Sequence, residues 1–100
     1  MNVQNVGLGG LDMGDVMIVY KVMPEDPDTD LESIKDEIKN IATEYGELRE
    51  TREENVAFGL KAVIANIVLP DKGGIVDNLE EELRNIPGIQ SAESVDITLI

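Results

Sequence analysis

The chain has 100 residues, 21 of them acidic and 8 basic, which gives a formal net charge of -13, and it contains neither Cys nor His. The length fits a single domain. The missing Cys excludes disulfides, thiolate metal sites and a Cys nucleophile, and the missing His excludes the usual proton shuttle near neutral pH. A surface this acidic repels phosphate backbones, so direct nucleic-acid binding is not expected. It would attract a basic protein face, although the same charge could serve only solubility or life in a salty cytoplasm.

The chain divides into a leader and one patterned domain. Residues 1–12 are rich in Gly and Asn without a clean period, which predicts a flexible leader. Met13 could be a second start, and the domain is predicted to cover residues 13–100. No apolar run approaches the ~20 residues that a membrane span needs, and no secretory signal is present. We therefore expect a cytoplasmic protein that does not engage a membrane.

The first half of the domain predicts a strand, a helix and an edge strand. The β-branched content of residues 16–22 indicates the first strand, and Thr29 with Glu32 forms a candidate capping box. A helix that ends at Gly46 follows, because apolar residues recur at spacings of three, four and three. These residues are Leu31, Ile34, Ile38 and Ile41. The charges of residues 47–56 are typical of a solvated edge strand.

The second half predicts a central strand, a second helix and a last strand. Residues 58–69 form the most apolar segment, and a Pro and Gly turn follows it. A helix over residues 75–85 is indicated by Val76, Leu79, Leu83 and Ile86, again at spacings of three, four and three. Val95, Ile97 and Leu99 alternate with polar residues, which predicts a half-buried final strand.

The resulting order of elements predicts an α+β fold. Strand, helix, strand, strand, helix, strand is the order of a ferredoxin-like βαββαβ sandwich. Its four strands would form one antiparallel sheet, with both helices on one face and the other face open.

The residues offer little for catalysis. Glu80, Glu81 and Glu82 form a charge run that fits a solvated helix face. The alternating Asp residues at 26, 28 and 30 lack the Gly and Glu that a calcium loop requires. We therefore predict no catalytic residue, no metal and no cofactor.

Phe58 is the only Phe of the chain, and it stands beside a Gly between two predicted strands. Strand alternation puts its side chain on the same side as Val56 and Leu60. If helices cover that side, Phe58 belongs to the core. If the side is open, Phe58 is an aromatic anchor for a partner.

Four segments of the chain resemble the exchange domain of the translation elongation factor 1-beta family, most closely the archaeal form. The first segment is the run Val56, Ala57, Phe58, Gly59, Leu60 and Lys61. The others are residues 13–24, residues 70–74 and residues 86–92. The resemblance covers residues 13–100 with the elements in order.

This resemblance implies a guanine-nucleotide exchange factor for the GTPase elongation factor 1-alpha. It implies the same sandwich fold and two regions of contact with the partner. One region is the run from Val56 to Lys61, with Phe58 and Gly59 against the partner's second domain. The other is the C-terminal end at Thr98, Leu99 and Ile100, near the nucleotide site.

One residue departs from the family pattern. Family members often carry a Lys or Arg near the penultimate position, where its charge can displace Mg²⁺, but here that residue is Leu99. A steric mechanism, or one that uses Lys61, is the alternative.

Two other functions stay open on the sequence. The chain could be a small regulatory or ligand-sensing sandwich that forms a homodimer through its sheet, or a minor enzyme with an unrecognised carboxylate site. An exchange factor is expected to be a monomer when free, which separates it from the first of these.

Overall fold

The structure is a computed structural model, and it describes residues 14–100. The predicted leader, residues 1–12, and Met13 lie outside the described residues. Six elements follow in the predicted order. They are β1 (Asp15–Pro24), α1 (Leu31–Tyr45), β2 (Glu47–Ala57), β3 (Leu60–Pro70), α2 (Ile75–Arg84) and β4 (Ile89–Leu99).

The strands form one antiparallel sheet in the order β2-β3-β1-β4. The predicted central strand, the most apolar segment of the chain, corresponds to β3, and it lies in the middle of the sheet beside β1. β2 and β4 are the two edges. The predicted α+β, ferredoxin-like βαββαβ sandwich is confirmed.

The core lies between one face of this sheet and the two helices. Alternate residues of β1 are buried on that face, namely Val16, Ile18, Tyr20 and Val22. Their partners across the sheet are the buried residues Leu69, Ile67, Ala65 and Val63 of β3. The apolar stripes of the helices cover them with Ile34, Ile38 and Ile41 from α1 and Leu79 and Leu83 from α2. Each such Leu or Ile side chain contributes about 1.5–3 kcal/mol of transfer free energy.

Tyr20 is the one aromatic ring in this core, and its hydroxyl has a partner. The hydroxyl donates to Glu80 Oε2 at 3.0 Å, and Arg84 Nη2 lies 3.3 Å from the other oxygen of the same carboxylate. Burial, together with the hydrogen bond to Glu80, raises the pKa of the Tyr20 hydroxyl. The buried polar tip is therefore satisfied, and it ties α2 to the central strand.

The predicted capping box at the start of α1 is wrong by one residue. Asp30, not Thr29, is the N-cap, and its Oδ1 accepts from the N–H groups of Glu32 at 3.1 Å and Ser33 at 3.4 Å. Thr29 instead bonds back to Asp26, whose N–H donates to the Thr29 hydroxyl at 3.3 Å. Either residue type can cap a helix, and the loop before α1 decides between the two neighbours.

The prediction of a half-buried final strand is also wrong for the second half of β4. Ala92 is buried under the helices, but Val95, Ile97 and Leu99 are each more than half exposed. Ile97 is paired with Ile18, and Leu99 with Val16. Directly paired residues share a face of the sheet, so these two residues lie on the helix side, at its uncovered margin.

Gly46 gives a test of how α1 joins the sheet. A Cβ at Gly46 would lie 2.1 Å from the backbone oxygen of Val68, whereas a Cβ at Gly73 would meet nothing within 4 Å. We expect Gly46→Ala to lower the free energy of unfolding by about 2 kcal/mol, which lowers Tm by roughly 10 °C in a chain of this length. Thermal unfolding followed by circular dichroism measures this, with Gly73→Ala as the matched control. Equal Tm values for the two variants would contradict the close approach.

Candidate functional site

The large apolar side chains that are exposed fall in two places among residues 14–100. The first is the hairpin tip, residues 56–61, which comprises the end of β2, the turn and the start of β3. The second is the tail cluster, which we define as Val95, Ile97, Leu99 and Ile100. The exposed fractions are 40% for Val56, 95% for Phe58, 54% for Val95, 60% for Ile97, 75% for Leu99 and 58% for Ile100. A soluble protein that leaves apolar groups together in this way commonly binds something there.

Phe58 is not part of a strand, and it is not buried. Phe58 and Gly59 form a two-residue turn with φ of 54° and 81°, the left-handed signs that a tight type I′ hairpin turn requires. The predicted start of a strand at Phe58 is therefore wrong, and so is the core interpretation. The strand alternation that grouped Phe58 with Val56 and Leu60 fails because the turn interrupts it.

Phe58 occupies a backbone conformation that its residue type disfavours. Asn and Gly are the usual residues at this turn position, because a Cβ and a bulky side chain crowd the left-handed backbone. The conformation costs on the order of 1–3 kcal/mol, and the exposed ring gains no burial in return. A residue that is both strained and exposed points to a role outside the folding of the chain.

One ion pair joins the base of the hairpin to α1, and a second lies between its two strands. Lys35 Nζ of α1 donates to Glu53 Oε2 of β2 at 2.8 Å, and Lys61 Nζ lies 4.0 Å from Glu53 Oε1. The hydrogen bond from Lys35 holds the pKa of the Glu53 carboxyl below its usual range. Lys61 is thus exposed and placed near Glu53, at the same end of the sheet as Phe58.

A shallow cavity of about 220 Å³ lies beside the turn. Gly59 lines it, and a Cβ at Gly59 would lie 3.8 Å from Pro27 Cβ. The turn thus rests near the loop between β1 and α1. The other lining residues are Pro24, Pro27, Thr29, Leu31, Glu53 and Lys61.

The tail residues are held by the first strand. Thr98 is paired with Met17, Leu99 with Val16, and the Ile100 N–H donates to the backbone oxygen of Asp15 at 3.1 Å. The chain end is therefore fixed in the sheet, with the Leu99 side chain presented to solvent. Leu99 brings no positive charge to this end.

The structure places the predicted contact residues in two groups at opposite ends of the sheet. Residues 56–61 lie at the end of the sheet where β3 begins. Leu99 and Leu69 are both paired with Val16 of β1, so Leu99 lies at the opposite end, where β3 finishes. Ten residues of strand at ~3.3 Å each separate these levels by roughly 33 Å. Lys61 is therefore far from Leu99, and it cannot supply the charge that the tail lacks.

Val95 and Ile97 belong to the tail cluster, although no sequence motif singles them out as contact residues. Their alternation with polar residues predicts one buried face of a strand instead. The sequence does contain a signal for their exposure, because the second predicted helix is too short to cover the last strand along its whole length. A helix of 10 residues is ~15 Å long, whereas a strand of 11 residues is ~36 Å long.

Other kinds of site find little support in the described part of the chain. Residues 14–100 contain no group of three or more acidic side chains placed to hold a metal ion. None of their helices is long and apolar enough to cross a membrane.

The fold has a counterpart among solved structures. The ACT domain from the GTP pyrophosphokinase of Chlorobium tepidum superposes with a TM-score of 0.57 at 15% sequence identity, covering 81% of this chain and 99% of that one. At this identity the likeness shows the fold alone.

Sequence relatives are more informative. Residues 17–100 match the family model of the EF-1 guanine nucleotide exchange domain. Elongation factor 1-beta of Archaeoglobus fulgidus is 43% identical over 88 residues, which is 88% of this chain and 100% of that protein. Elongation factor 1-beta of Methanothermobacter thermautotrophicus is 44% identical over 85 residues, or 85% and 96% of the two chains. The chain therefore belongs to the elongation factor 1-beta family and carries its guanine nucleotide exchange domain.

Proposed function

We propose that this protein promotes release of GDP from elongation factor 1-alpha during translation elongation. The observation that carries the proposal is Phe58, an exposed ring on a strained turn in a chain that belongs to an exchange-domain family. We propose further that the protein acts in the cytoplasm, is a monomer when free and binds neither nucleic acid nor membrane.

Exchange by this route needs no bond-breaking residue. An exchange protein that binds the nucleotide-free GTPase more tightly than the loaded one lowers the affinity of the GTPase for nucleotide to the same extent, because the two equilibria are linked. A thousandfold faster release corresponds to about 4 kcal/mol of such difference. The requirement is a rigid surface that fits one state of the partner better than the other.

The two exposed clusters supply such a surface in our proposal. The ring of Phe58 provides an anchor at one end of the sheet, and the tail cluster contacts the partner near its nucleotide site at the other end. A body that is fixed at both ends resists closure of the partner around GDP. Leu99 has no charge, so we propose that the tail acts by steric displacement, without a cation competing for the Mg²⁺ site.

Phe58 allows a test in which stability and function move in opposite directions. Phe58→Asn removes the ring and puts a residue that tolerates the left-handed conformation at the turn, so Tm should rise. Release of a fluorescent GDP analogue from elongation factor 1-alpha, at factor concentrations below saturation, should slow roughly 30-fold, because loss of an aromatic anchor costs at least about 2 kcal/mol of binding.

The control for that test is Phe58→Ala, which removes the ring without relieving the turn. It should slow release by a similar factor while Tm stays level or falls. Unchanged release rates in both variants would contradict the anchor role of Phe58. No acceleration by the wild-type chain would contradict the proposed function itself.

The charge of the chain gives a second test of the proposal. If the net charge of -13 steers the factor to a basic partner face, the rate constant of association should fall about tenfold between 0.05 M and 0.5 M salt. Stopped-flow mixing with nucleotide-free elongation factor 1-alpha measures that rate constant. The release rate at saturating factor is the control, and it should change less. A flat association rate would assign the acidity to solubility or salt adaptation.

A further inference from the structure

The two edges of the sheet differ in how they are protected. β2 has charged residues along most of its length and few apolar ones, which discourages pairing with another strand. The second half of β4 has the opposite character, because Val95, Ile97 and Leu99 are exposed there. Within residues 14–100 no strand pairs with the outer edge of β4.

The backbone of β4 presents hydrogen-bonding groups at this same place. The Ile100 N–H points inward, since it donates to the backbone oxygen of Asp15 on β1. In an antiparallel pair the N–H and C=O groups of successive residues point alternately toward and away from the partner. The register from Val16–Leu99 to Val19–Asp96 is unbroken, so Thr98 also points inward. Ile97 and Leu99 therefore point their N–H and C=O groups outward.

We propose that the outer edge of β4 binds an extended segment of the GTPase partner by strand addition, through the backbone of Ile97 and Leu99. The proposal rests on the proposed function, and it assigns a mode of recognition to the tail cluster. The segment has apolar residues at alternate positions, which cover the side chains of Ile97 and Leu99. It has a Lys or Arg residue that faces Asp96.

Charge decides which occupant fits this edge. Asp96 lies on the part of β4 that carries the tail cluster, and it forms no ion pair with another described residue within 4.0 Å. A second copy of the chain would bring the same carboxylate, and a body with a net charge of -13, against the edge. Like charges that face each other across strands are destabilising. A basic segment satisfies both the carboxylate and the exposed backbone.

A register shift limits the length of the edge that can be used. The pairing of β1 and β4 shifts between Val19 and Tyr20, which leaves Val95 as the extra residue on β4. Such a bulge bends the strand and interrupts regular pairing. The added strand is therefore short and aligns with the residues after Val95, close to the chain end.

Amide hydrogen exchange tests the proposal residue by residue in the full chain. In the free protein the amides of Ile97 and Leu99 should exchange fast and that of Thr98 slowly, because only Thr98 is bonded inside the sheet. In the complex with nucleotide-free elongation factor 1-alpha, exchange at Ile97 and Leu99 should slow at least about tenfold. Unchanged exchange in a complex that forms, and that Phe58→Asn weakens, would overturn strand addition but not the proposed function. If no complex forms, the proposed function itself fails.

Two other occupants would each give a distinct result. Protection of Ile97 and Leu99 that grows with protein concentration in the absence of partner would assign the edge to a second copy. Protection in the dilute free chain that is lost in a chain beginning at Gly14 would assign it to the chain's own first residues. Either result would overturn the proposal.

A pair of variants separates the backbone contact from the side-chain contact. Ile97→Ala keeps the outward N–H, and Ile97→Pro removes it. Pro is tolerated on an edge strand where the N–H faces away from the sheet. We expect Ile97→Pro to bind nucleotide-free partner about fivefold more weakly than Ile97→Ala, the loss of one hydrogen bond. Circular dichroism verifies the fold of each variant, and equal affinities would overturn the backbone contact.

Discussion

The pairing of β1 with β3 in the middle of the sheet is the constraint on which the rest of the structure depends. The two strands are paired over eight consecutive residues, and each buries alternate side chains under the helices. A slip of one residue would turn Ile18 and Tyr20 away from the core, so the register is strongly specified. The register in turn fixes where the hairpin tip and the tail cluster lie. The turn at Phe58 and Gly59 and the exposed side chain of Leu99 therefore lie at a set spacing of roughly 33 Å along the strands.

Each of the two exposed apolar groups costs stability, and our proposal assigns that cost to binding. At the hairpin tip, Phe58 is strained and exposed in a turn that Asn would fit better. In the tail cluster, an edge strand exposes apolar side chains to water, at positions where charged residues would discourage pairing with another chain. The net charge of -13 makes the second feature tolerable, because copies of the chain repel each other before their edges can pair. In our proposal the same charge also favours a basic partner, so that one property of the surface serves both solubility and selection.

Much of the fold was accessible from the sequence. The helix spacing of three, four and three, and the alternation of the strands, predicted the element order and the sheet, because both patterns report one-sided burial. Phe58 was the main failure among the fold predictions. Alternation holds only within a strand, and Phe with Gly is not the usual signal of a two-residue turn. The position of the helix cap could not be predicted either, because Thr and Asp are both common N-cap residues. The geometry of the loop before α1 places Asp30, and not Thr29, at that position.

The sites were less accessible than the fold. Two runs of sequence resembled contact regions, but their separation at opposite ends follows only from the strand register. The exposure of Ile97 depends on how far α2 extends over β4, which is a property of packing and not of either element alone. The most direct test of the account is amide chemical-shift mapping of the labelled full chain as nucleotide-free elongation factor 1-alpha is added. We expect the signals of residues 56–61 and of residues 95–100 to change together, with one affinity and one-to-one stoichiometry. Changes at only one end of the sheet would contradict it.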